Sequence, residues 1–196
     1  TNHIYNSRGH VRIYQNNSGT LTKVGDDIDG EATGDKSGYS VSLSSDGSVV
    51  AIGANYNQGD NGRYSGHVRI YQNTDGTWTK VGNDIDGESA WSYSGNSVSL
   101  SSDGSIVAIG AINNSGNGIH SGHVRIYQNT DGTWTKIGND IDGEASYDQS
   151  GHSVSLSADG SVVAIGAYGN DGNDDISKLG YTNHIYNSRG HVRIYQ

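Results

Sequence analysis

Apolar and polar residues alternate in a seven-residue stretch, Gly-His-Val-Arg-Ile-Tyr-Gln, which occurs four times in the chain. In the first copy Val11 and Ile13 fall on one face, while Arg12 and Tyr14 fall on the other. A period of two residues is typical of a half-buried β-strand. The stretch therefore predicts a strand at each of its positions, which are 9–15, 66–72, 122–128 and 190–196.

Three more strands are predicted between the first two copies, over 20–24, 39–44 and 48–54. The last of them is apolar on both faces in its centre, which is typical of the most buried strand of a sheet. Clusters of Asn, Asp, Ser and Gly separate the strands, and Asp-Gly is a strong hairpin signal. The acidic stretch 25–38 is expected to form a surface loop.

This order of elements returns after each copy. It predicts an all-β fold of tandem four-stranded antiparallel β-blades, like those of a propeller, with three units plus the first strand of a fourth. We expect 1–8 to end a preceding repeat and 190–196 to begin the next one. Repeats one to three are expected over 9–65, 66–121 and 122–189, and the third has a longer last loop.

A second period is superimposed on the first, because residues 1–15 and 182–196 are identical over a spacing of 181 residues. This identity is expected of a window from a longer periodic polymer; the alternative is a complete chain with duplicated ends. Closed propellers have about four to eight blades, so three blades do not close alone. Three blades are compatible with three arrangements: part of a longer chain, a six-bladed ring made by pairing of two molecules, or an open array.

Composition excludes several classes of function. The formal net charge of −9 disfavours nucleic acids and anionic membrane surfaces as partners. No run of about 18 apolar residues is present, so no membrane span is predicted. The absence of Cys excludes disulfides and thiolate metal sites.

The segment 37–54 begins with Ser-Gly, turns at Ser-Asp-Gly and ends in Gly-Ala, and the pattern returns at 94–111 and 150–167. It resembles the FG-GAP repeat, the blade of integrin-α-type β-propellers, although Ser-Gly replaces Phe-Gly and no Pro follows Gly-Ala. The resemblance implies a propeller blade in an extracellular, adhesive or structural context. The calcium loop of that family is shortened here to Ser45-Asp46-Gly47, and one carboxylate does not supply the six to eight oxygens that Ca²⁺ requires. The family's calcium site is therefore not carried over.

The segments reading Asp-Ile-Asp-Gly-Glu are the remaining candidates for Ca²⁺, through clustered oxygens. The alternative is a solvated acidic turn with its Ile in the core. No other cofactor is expected. The candidate metal ligands are Asp27, Asp29, Glu31, Asp84, Asp86, Glu88, Asp140, Asp142 and Glu144.

The His, Arg and Tyr of the repeated strand suggest a sugar-binding face, and the alternative is that they are cross-strand partners on the wet face. If the two ends of the chain occupy equivalent places in neighbouring copies, their strands form an assembly joint. Asn16 and Asn113 fit the acceptor pattern for N-glycosylation. The residues of the assembly joint are His10, Val11, Arg12, Ile13, Tyr14, His191, Val192, Arg193, Ile194 and Tyr195.

Every Ser, His and Asp that stands out recurs in each unit, whereas a catalytic site needs unique groups in one pocket. We therefore expect no enzyme. The sequence predicts an extracellular or cell-surface structural protein, a glycoprotein fibre or filament that self-assembles from 181-residue super-units. Its expected partners are copies of itself and glycans. The alternative is a propeller that binds a glycan or protein in cell adhesion.

Overall fold

The computed structural model describes residues 7–171 and 190–196, and within them the fold is all-β, as predicted from the alternation. No helix occurs among these residues. The strands are β1 (His10–Val11), β2 (Tyr14–Asn17), β3 (Thr20–Lys23), β4 (Ile28–Asp29), β5 (Ser40–Leu43), β6 (Val49–Ala54), β7 (His67–Thr74), β8 (Thr77–Lys80), β9 (Ile85–Asp86), β10 (Ser94–Leu100), β11 (Ile106–Ala111), β12 (His123–Thr130), β13 (Thr133–Asp142), β14 (Ser150–Leu156), β15 (Val163–Ala167) and β16 (His191–Tyr195).

The strands form several small antiparallel sheets. The first large sheet has the order β5-β6-β7-β8, with β9 also paired to β7. The second has the order β10-β11-β12-β13, and the third has the order β14-β15-β16. Two smaller pairs, β1 with β4 and β2 with β3, precede them. We refer to the three larger sheets as sheets 1, 2 and 3.

The repeated strand is the third strand of its sheet, counted along the chain. In sheet 1, β7 pairs with β6 through His67 and Ala54, and with β8 through Asn73 and Trp78. Each large sheet therefore takes two strands from before the repeated stretch and one to three strands from that stretch onwards. The sheets thus cross the expected unit boundary near residue 65. The expected boundaries at 1–8 and 122–189 include residues outside the described part of the chain.

Consecutive sheets approach each other through glycine backbone. A Cβ added at Gly110 on β11 would lie 2.1 Å from the carbonyl oxygen of Gly151 on β14. The hydroxyl of Ser97 donates a 2.7 Å hydrogen bond to that oxygen. Gly53 and Gly95 repeat this contact between sheets 1 and 2, where the corresponding distance is 2.2 Å. No side chain fits at either position, so glycine sets the spacing of the sheets.

The apolar core lies between consecutive sheets rather than within one. Val98 and Leu100 of β10 pack against Val68 and Ile70 of β7. An apolar sheet face must be covered by another layer, and here the next repeat supplies that layer. The three clusters contain Val11, Ile13, Ile28, Val50 and Ile52; Ala51, Val68, Ile70, Ile85, Val98, Leu100, Val107 and Ile109; and Ala108, Val124, Val163 and Ile165.

The Ser-Asp-Gly turn closes on itself. Asp46 accepts hydrogen bonds from the backbone N–H of Ser48 at 2.9 Å and from the hydroxyl of Ser44 at 2.7 Å. These bonds, the one from Ser48 N–H first, lower the pKa of Asp46 to about 2. Asp103 and Asp159 make the same contacts in the later repeats. The Asp therefore serves the turn, which agrees with leaving the calcium site of the FG-GAP family aside.

A tryptophan on the fourth strand links each sheet to the preceding repeat. The indole N–H of Trp134 donates to the carbonyl oxygen of Val81 at 3.0 Å, and Trp78 donates to Val24 at 2.9 Å. The rings lie over Gly82 and Gly25, where a Cβ would meet the indole. Position 21, which holds Leu in the first repeat, is the counterpart of these two residues.

We predict that Trp134→Ala lowers the free energy of unfolding by about 2 to 3 kcal/mol, because it removes the partly buried ring and its hydrogen bond. Denaturant unfolding followed by circular dichroism measures the loss. The control is Thr135→Ala on the exposed side of the same strand, which we expect to change stability by less than about 0.5 kcal/mol. Equal effects of the two substitutions would contradict the role of the tryptophan.

Candidate functional site

A pocket lies between consecutive repeats, and it is built in the same way each time. An acidic segment forms one wall, while the Tyr of the third strand and the Trp of the fourth strand form the other. The pocket between sheets 1 and 2 has a volume of about 330 Å³ and is lined by Asp84, Asp86, Tyr127 and Trp134. Its counterpart one repeat earlier has a volume of about 270 Å³ and is lined by Asp26, Asp27, Ile28, Asp29, Tyr71, Gly76, Thr77 and Trp78.

A partly buried ion cluster adjoins the pocket between sheets 1 and 2 through Asp84. His67, at the start of β7, places Nδ1 3.7 Å from Oδ2 of Asp84. The ammonium of Lys80 binds Oδ1 of Asp84 at 2.6 Å. Arg69, two residues along the same face of β7, pairs with Glu31 of the preceding repeat at 3.2 Å. The cluster thus joins two repeats through opposite charges.

The cluster of the next repeat contains the same residue types. Arg125 binds Asp140 through two hydrogen bonds of 3.0 and 2.8 Å, and it also pairs closely with Glu88. Lys136 donates to Asp140 at 2.6 Å. His123 is buried, and its Nδ1 lies 3.8 Å from Asp140 without a hydrogen-bond partner among the described residues.

Burial shifts the pKa values of the groups in these clusters. It lowers the pKa of His67 and of His123, because it penalises the charged imidazolium. It raises the pKa of Asp86 for the corresponding reason. In the first repeat, hydrogen bonds from Lys23 and then from Arg12 lower the pKa of Asp27 to about 2. His67 and His123 are therefore neutral bases near pH 7.

Two groups of residues place ligand atoms within 4.8 Å of one another and could in that respect hold a metal ion. In both groups, however, Arg and Lys already neutralise the carboxylates. Ca²⁺ also prefers six to eight oxygen ligands, whereas each group includes an imidazole nitrogen. The residues therefore do not fit Ca²⁺. The two groups are Glu31, His67 and Asp84, and Glu88, His123 and Asp140.

The acidic segments predicted as surface loops are partly strands. Ile28 and Ile85 are buried in the core, as the alternative reading of these segments expected. The carboxylates beside them, however, are paired with cations of the neighbouring strand and of the next repeat. Sequence reasoning missed the grouping of Glu31 with His67 and Asp84, because these residues come from two repeats. Their recurrence at a fixed offset in each unit is the signal that could have shown it.

The remaining candidates lie at separate places. Asn16 is exposed on β2, where its side-chain oxygen accepts from Gly19 N–H at 2.8 Å, and Asn113 lies in the loop after β11. N-glycosylation at both stays a prediction. Trp91 is half exposed and stacks edge-on against Tyr64. The assembly joint, formed by His10 to Tyr14 and His191 to Tyr195, lies at the two ends of the described chain and also stays a prediction.

Comparison with known proteins gives the fold. No protein-family model and no curated protein matches the chain. Among solved structures, it is similar to a candidate 6-phosphogluconolactonase of Bacteroides uniformis, with a TM-score of 0.55 and 12% identity over 81% of this chain and 41% of that one. It is also similar to the periplasmic gluconolactonase of Pseudomonas aeruginosa, with a TM-score of 0.50 and 15% identity over 82% of this chain and 44% of that one. The chain therefore spans less than half the length of these structures.

These comparisons correct four expectations. The resemblance to FG-GAP repeats is wrong, because the structures similar in fold are a candidate 6-phosphogluconolactonase and a gluconolactonase. The expectations of a structural fibre, of a role in adhesion and of no enzyme are wrong as well, since the structures similar in fold carry the names of enzymes. Repetition misled the sequence reasoning, because residues repeated for packing also line the pockets. No helix in the described part of the chain is long and apolar enough to cross a membrane.

We predict that the free energy of unfolding falls as the pH is lowered from about 7.5 to about 5.5. The unfolded chain binds protons on His67 and His123 below their usual pKa of 6.5, whereas the folded chain keeps both neutral to lower pH. Urea unfolding at several pH values measures this slope. Asp86 acts in the opposite direction, because its raised pKa favours the folded state as the pH falls. A double variant, His67→Gln with His123→Gln, should show a flatter profile, and a wild-type stability that rises at pH 5.5 would contradict the prediction.

We predict that Arg125→Gln lowers the free energy of unfolding by roughly 1 to 2 kcal/mol. Its side chain is mostly buried and holds Glu88 and Asp140 together. The loss is smaller than the roughly 3 to 5 kcal/mol for a fully buried pair, since both partners are partly exposed to solvent. The control is Arg63→Gln, which removes the same charge from an exposed loop. A loss no larger than that of the control would show that the cluster does not stabilise the interface.

Proposed function

We propose that the chain is part of a β-propeller enzyme that hydrolyses a lactone, the cyclic ester of a sugar acid. Likeness in fold to a candidate 6-phosphogluconolactonase and to a gluconolactonase, over about four fifths of the chain, supports the architecture. The antiparallel strand order β10-β11-β12-β13 of sheet 2, which the main path of sheet 1 repeats, also has the size and order of a propeller blade. We further propose that the protein works outside the cytoplasm, as one of these neighbours does by its name.

The pocket between sheets 1 and 2 is the observation that carries this proposal. Its volume of about 330 Å³ is at the lower end of the range for small-molecule sites, which suits a single sugar ring. The ring of Trp134 offers an apolar platform for the carbon face of a sugar. Asp84 offers carboxylate oxygens that accept hydrogen bonds from hydroxyl groups.

The hydrolysis needs a base near the substrate. Water adds to the lactone carbonyl carbon while a base removes a proton from the water. The bond between the carbonyl carbon and the ring oxygen then breaks, and the ring oxygen takes up that proton to give the free hydroxy acid. Asp86 lines the pocket, and its raised pKa makes it a better base than an ordinary carboxylate.

The charge of the pocket favours a neutral lactone over a phosphorylated one. Asp84 and Asp86 line the pocket, and Lys80 is already bonded to Asp84. A phosphate group would therefore face carboxylates. Tyr127 and Trp134 complete the wall without adding charge.

The test is hydrolysis of gluconolactone by the purified chain, measured as proton release with a pH indicator and corrected for spontaneous opening. We expect turnover above the blank, and we expect Asp86→Asn to lower it at least about tenfold, which is the lower range for loss of a general base. The control is Asp75→Asn in the exposed hairpin turn between β7 and β8, which should leave the rate unchanged. A rate equal to the blank, or an equal rate in Asp86→Asn, would contradict the proposal.

A further inference from the structure

The contact that joins consecutive sheets is made twice within the chain, and the structure leaves a third copy of it open. Trp78 docks on the backbone at Val24 and Gly25, and Trp134 docks at Val81 and Gly82. The third equivalent place is Ile137 with Gly138, and a Cβ added at Gly138 meets no atom within 4 Å. An apolar pocket of about 550 Å³ lies there, lined by residues that include Ile126, Ile137, Ile141, Leu156, Val163 and Tyr195.

The opposite end of the described chain carries the matching half of the contact. Leu21, the counterpart of the two docked tryptophans, is 67% exposed. Val41 and Leu43 on β5 are 53% and 47% exposed, whereas their counterparts Val98 and Leu100 on β10 are 8% and 7% exposed. The three side chains are apolar and exposed, whereas the counterparts of Val41 and Leu43 are buried where a complete sheet precedes their repeat.

We propose that a second copy of this chain covers both open faces, so that two chains close one ring. Residues 9–30 of the second copy supply the third and fourth strands of sheet 3, in place of residues 190–196 of the first copy. The exchange is reciprocal, since each chain has both ends. It places Leu21 of one copy over Gly138 of the other, in the way that Trp134 covers Gly82.

The exchanged strands are identical in sequence, so the new strand makes the same backbone pairing with β15 that β16 makes. The two settings differ in burial. Val11 and Ile13 are 9% and 8% exposed against sheet 1, whereas Val192 and Ile194 of β16 are 66% and 72% exposed. After exchange, the strand that pairs with β15 has its apolar face covered by sheet 1 of its own chain. It also brings β3 as a fourth strand, whereas β16 brings no fourth strand to sheet 3. Exchange of an identical element between protomers is a low-cost route to a dimer.

The number of sheets fits two copies. After exchange each chain contributes two complete sheets and two half sheets, the equivalent of three blades. Two chains give six blades, within the range of about four to eight seen in closed propellers, while one chain or three chains fall outside it. The solved structures with this fold are more than twice as long as the region they share with the chain, which is also consistent with two copies.

The hydrogen bonds expected between the two copies repeat those made between consecutive sheets within one chain. The hydroxyl of Ser40 donates to Gly95, and that of Ser97 donates to Gly151. The third member of the series is Ser153, whose counterpart acceptor is the carbonyl oxygen of Gly38 in the second copy. In the dimer, the backbone of the second copy approaches Gly166 in the same way that the next sheet approaches Gly53 and Gly110.

The test begins with the mass of the chain in solution, measured by light scattering after size-exclusion chromatography. We expect a dimer of about twice the 20.7 kDa chain at micromolar concentrations. Gly166→Ala should give a folded monomer, because its Cβ meets only the Ser153 side chain within one chain but would meet the Gly38 carbonyl oxygen of the second copy. The control is Gly110→Ala, which should lower stability within each chain, since its Cβ lies 2.1 Å from Gly151.

Strand exchange is tested by cysteine pairs. Val163 pairs with Tyr195 in β16, so Val163→Cys with Tyr14→Cys should form an intermolecular disulfide if residues 9–15 take that place. The resulting covalent dimer is read on a denaturing gel. A monomer at all concentrations, an open polymer, or a dimer that does not form this disulfide would each overturn the proposal. None of these readouts depends on lactone hydrolysis, so the two proposals fail separately.

Discussion

The close approach of backbone to backbone between consecutive sheets is the constraint on which the rest of the structure depends. Gly110 lies so near the carbonyl oxygen of Gly151 that no side chain fits between them. At this spacing Val98 and Leu100 reach the strands of the preceding sheet, and the indole of Trp134 reaches Val81. Two hydrogen bonds between sheets also depend on this kind of approach: the Ser97 hydroxyl donates to the carbonyl oxygen of Gly151, and the Leu100 N–H donates to the Ser42 hydroxyl. A chain with few large apolar residues can form a continuous core in this way, because each repeat covers its neighbour.

The same spacing between sheets brings oppositely charged residues of consecutive repeats into contact. Arg69 and Arg125 sit on the third strand of their sheets, and each binds the Glu that ends the acidic segment of the preceding repeat. Some of the acidic residues therefore form ion pairs at the interfaces between repeats. His67 and His123 are buried beside these pairs and stay neutral there, so the interfaces are sensitive to acid. Asp86 lines the pocket between sheets 1 and 2, and burial raises its pKa.

Strands and turns could be predicted from the sequence, because the period of two in 10–15 and the Asp-Gly turns are local signals. The grouping of strands into sheets could not be predicted in the same way. His67 to Thr74 alternates equally well as the first or the third strand of a sheet, and the pairing of Ala54 with His67 across the 55–66 loop decides between them. The pairing of Glu31 with Arg69 was missed for the same reason, since it joins two repeats. The FG-GAP letters describe two strands and a turn that many β-folds share.

Hydrogen exchange at the inter-sheet amides tests the glycine-set spacing most directly. The backbone N–H of Ser102 lies in a turn and donates to Ala158 of the next repeat, and that of Leu156 donates to the Ser99 hydroxyl. NMR-detected exchange should show both amides protected as well as the amides within the strands. In Gly110→Ala the same two amides should exchange much faster, while the hairpin of β12 and β13 keeps its protection. If the Ser102 amide exchanged at the rate of an unstructured chain in the wild-type protein, the packing of sheet on sheet described above would be contradicted.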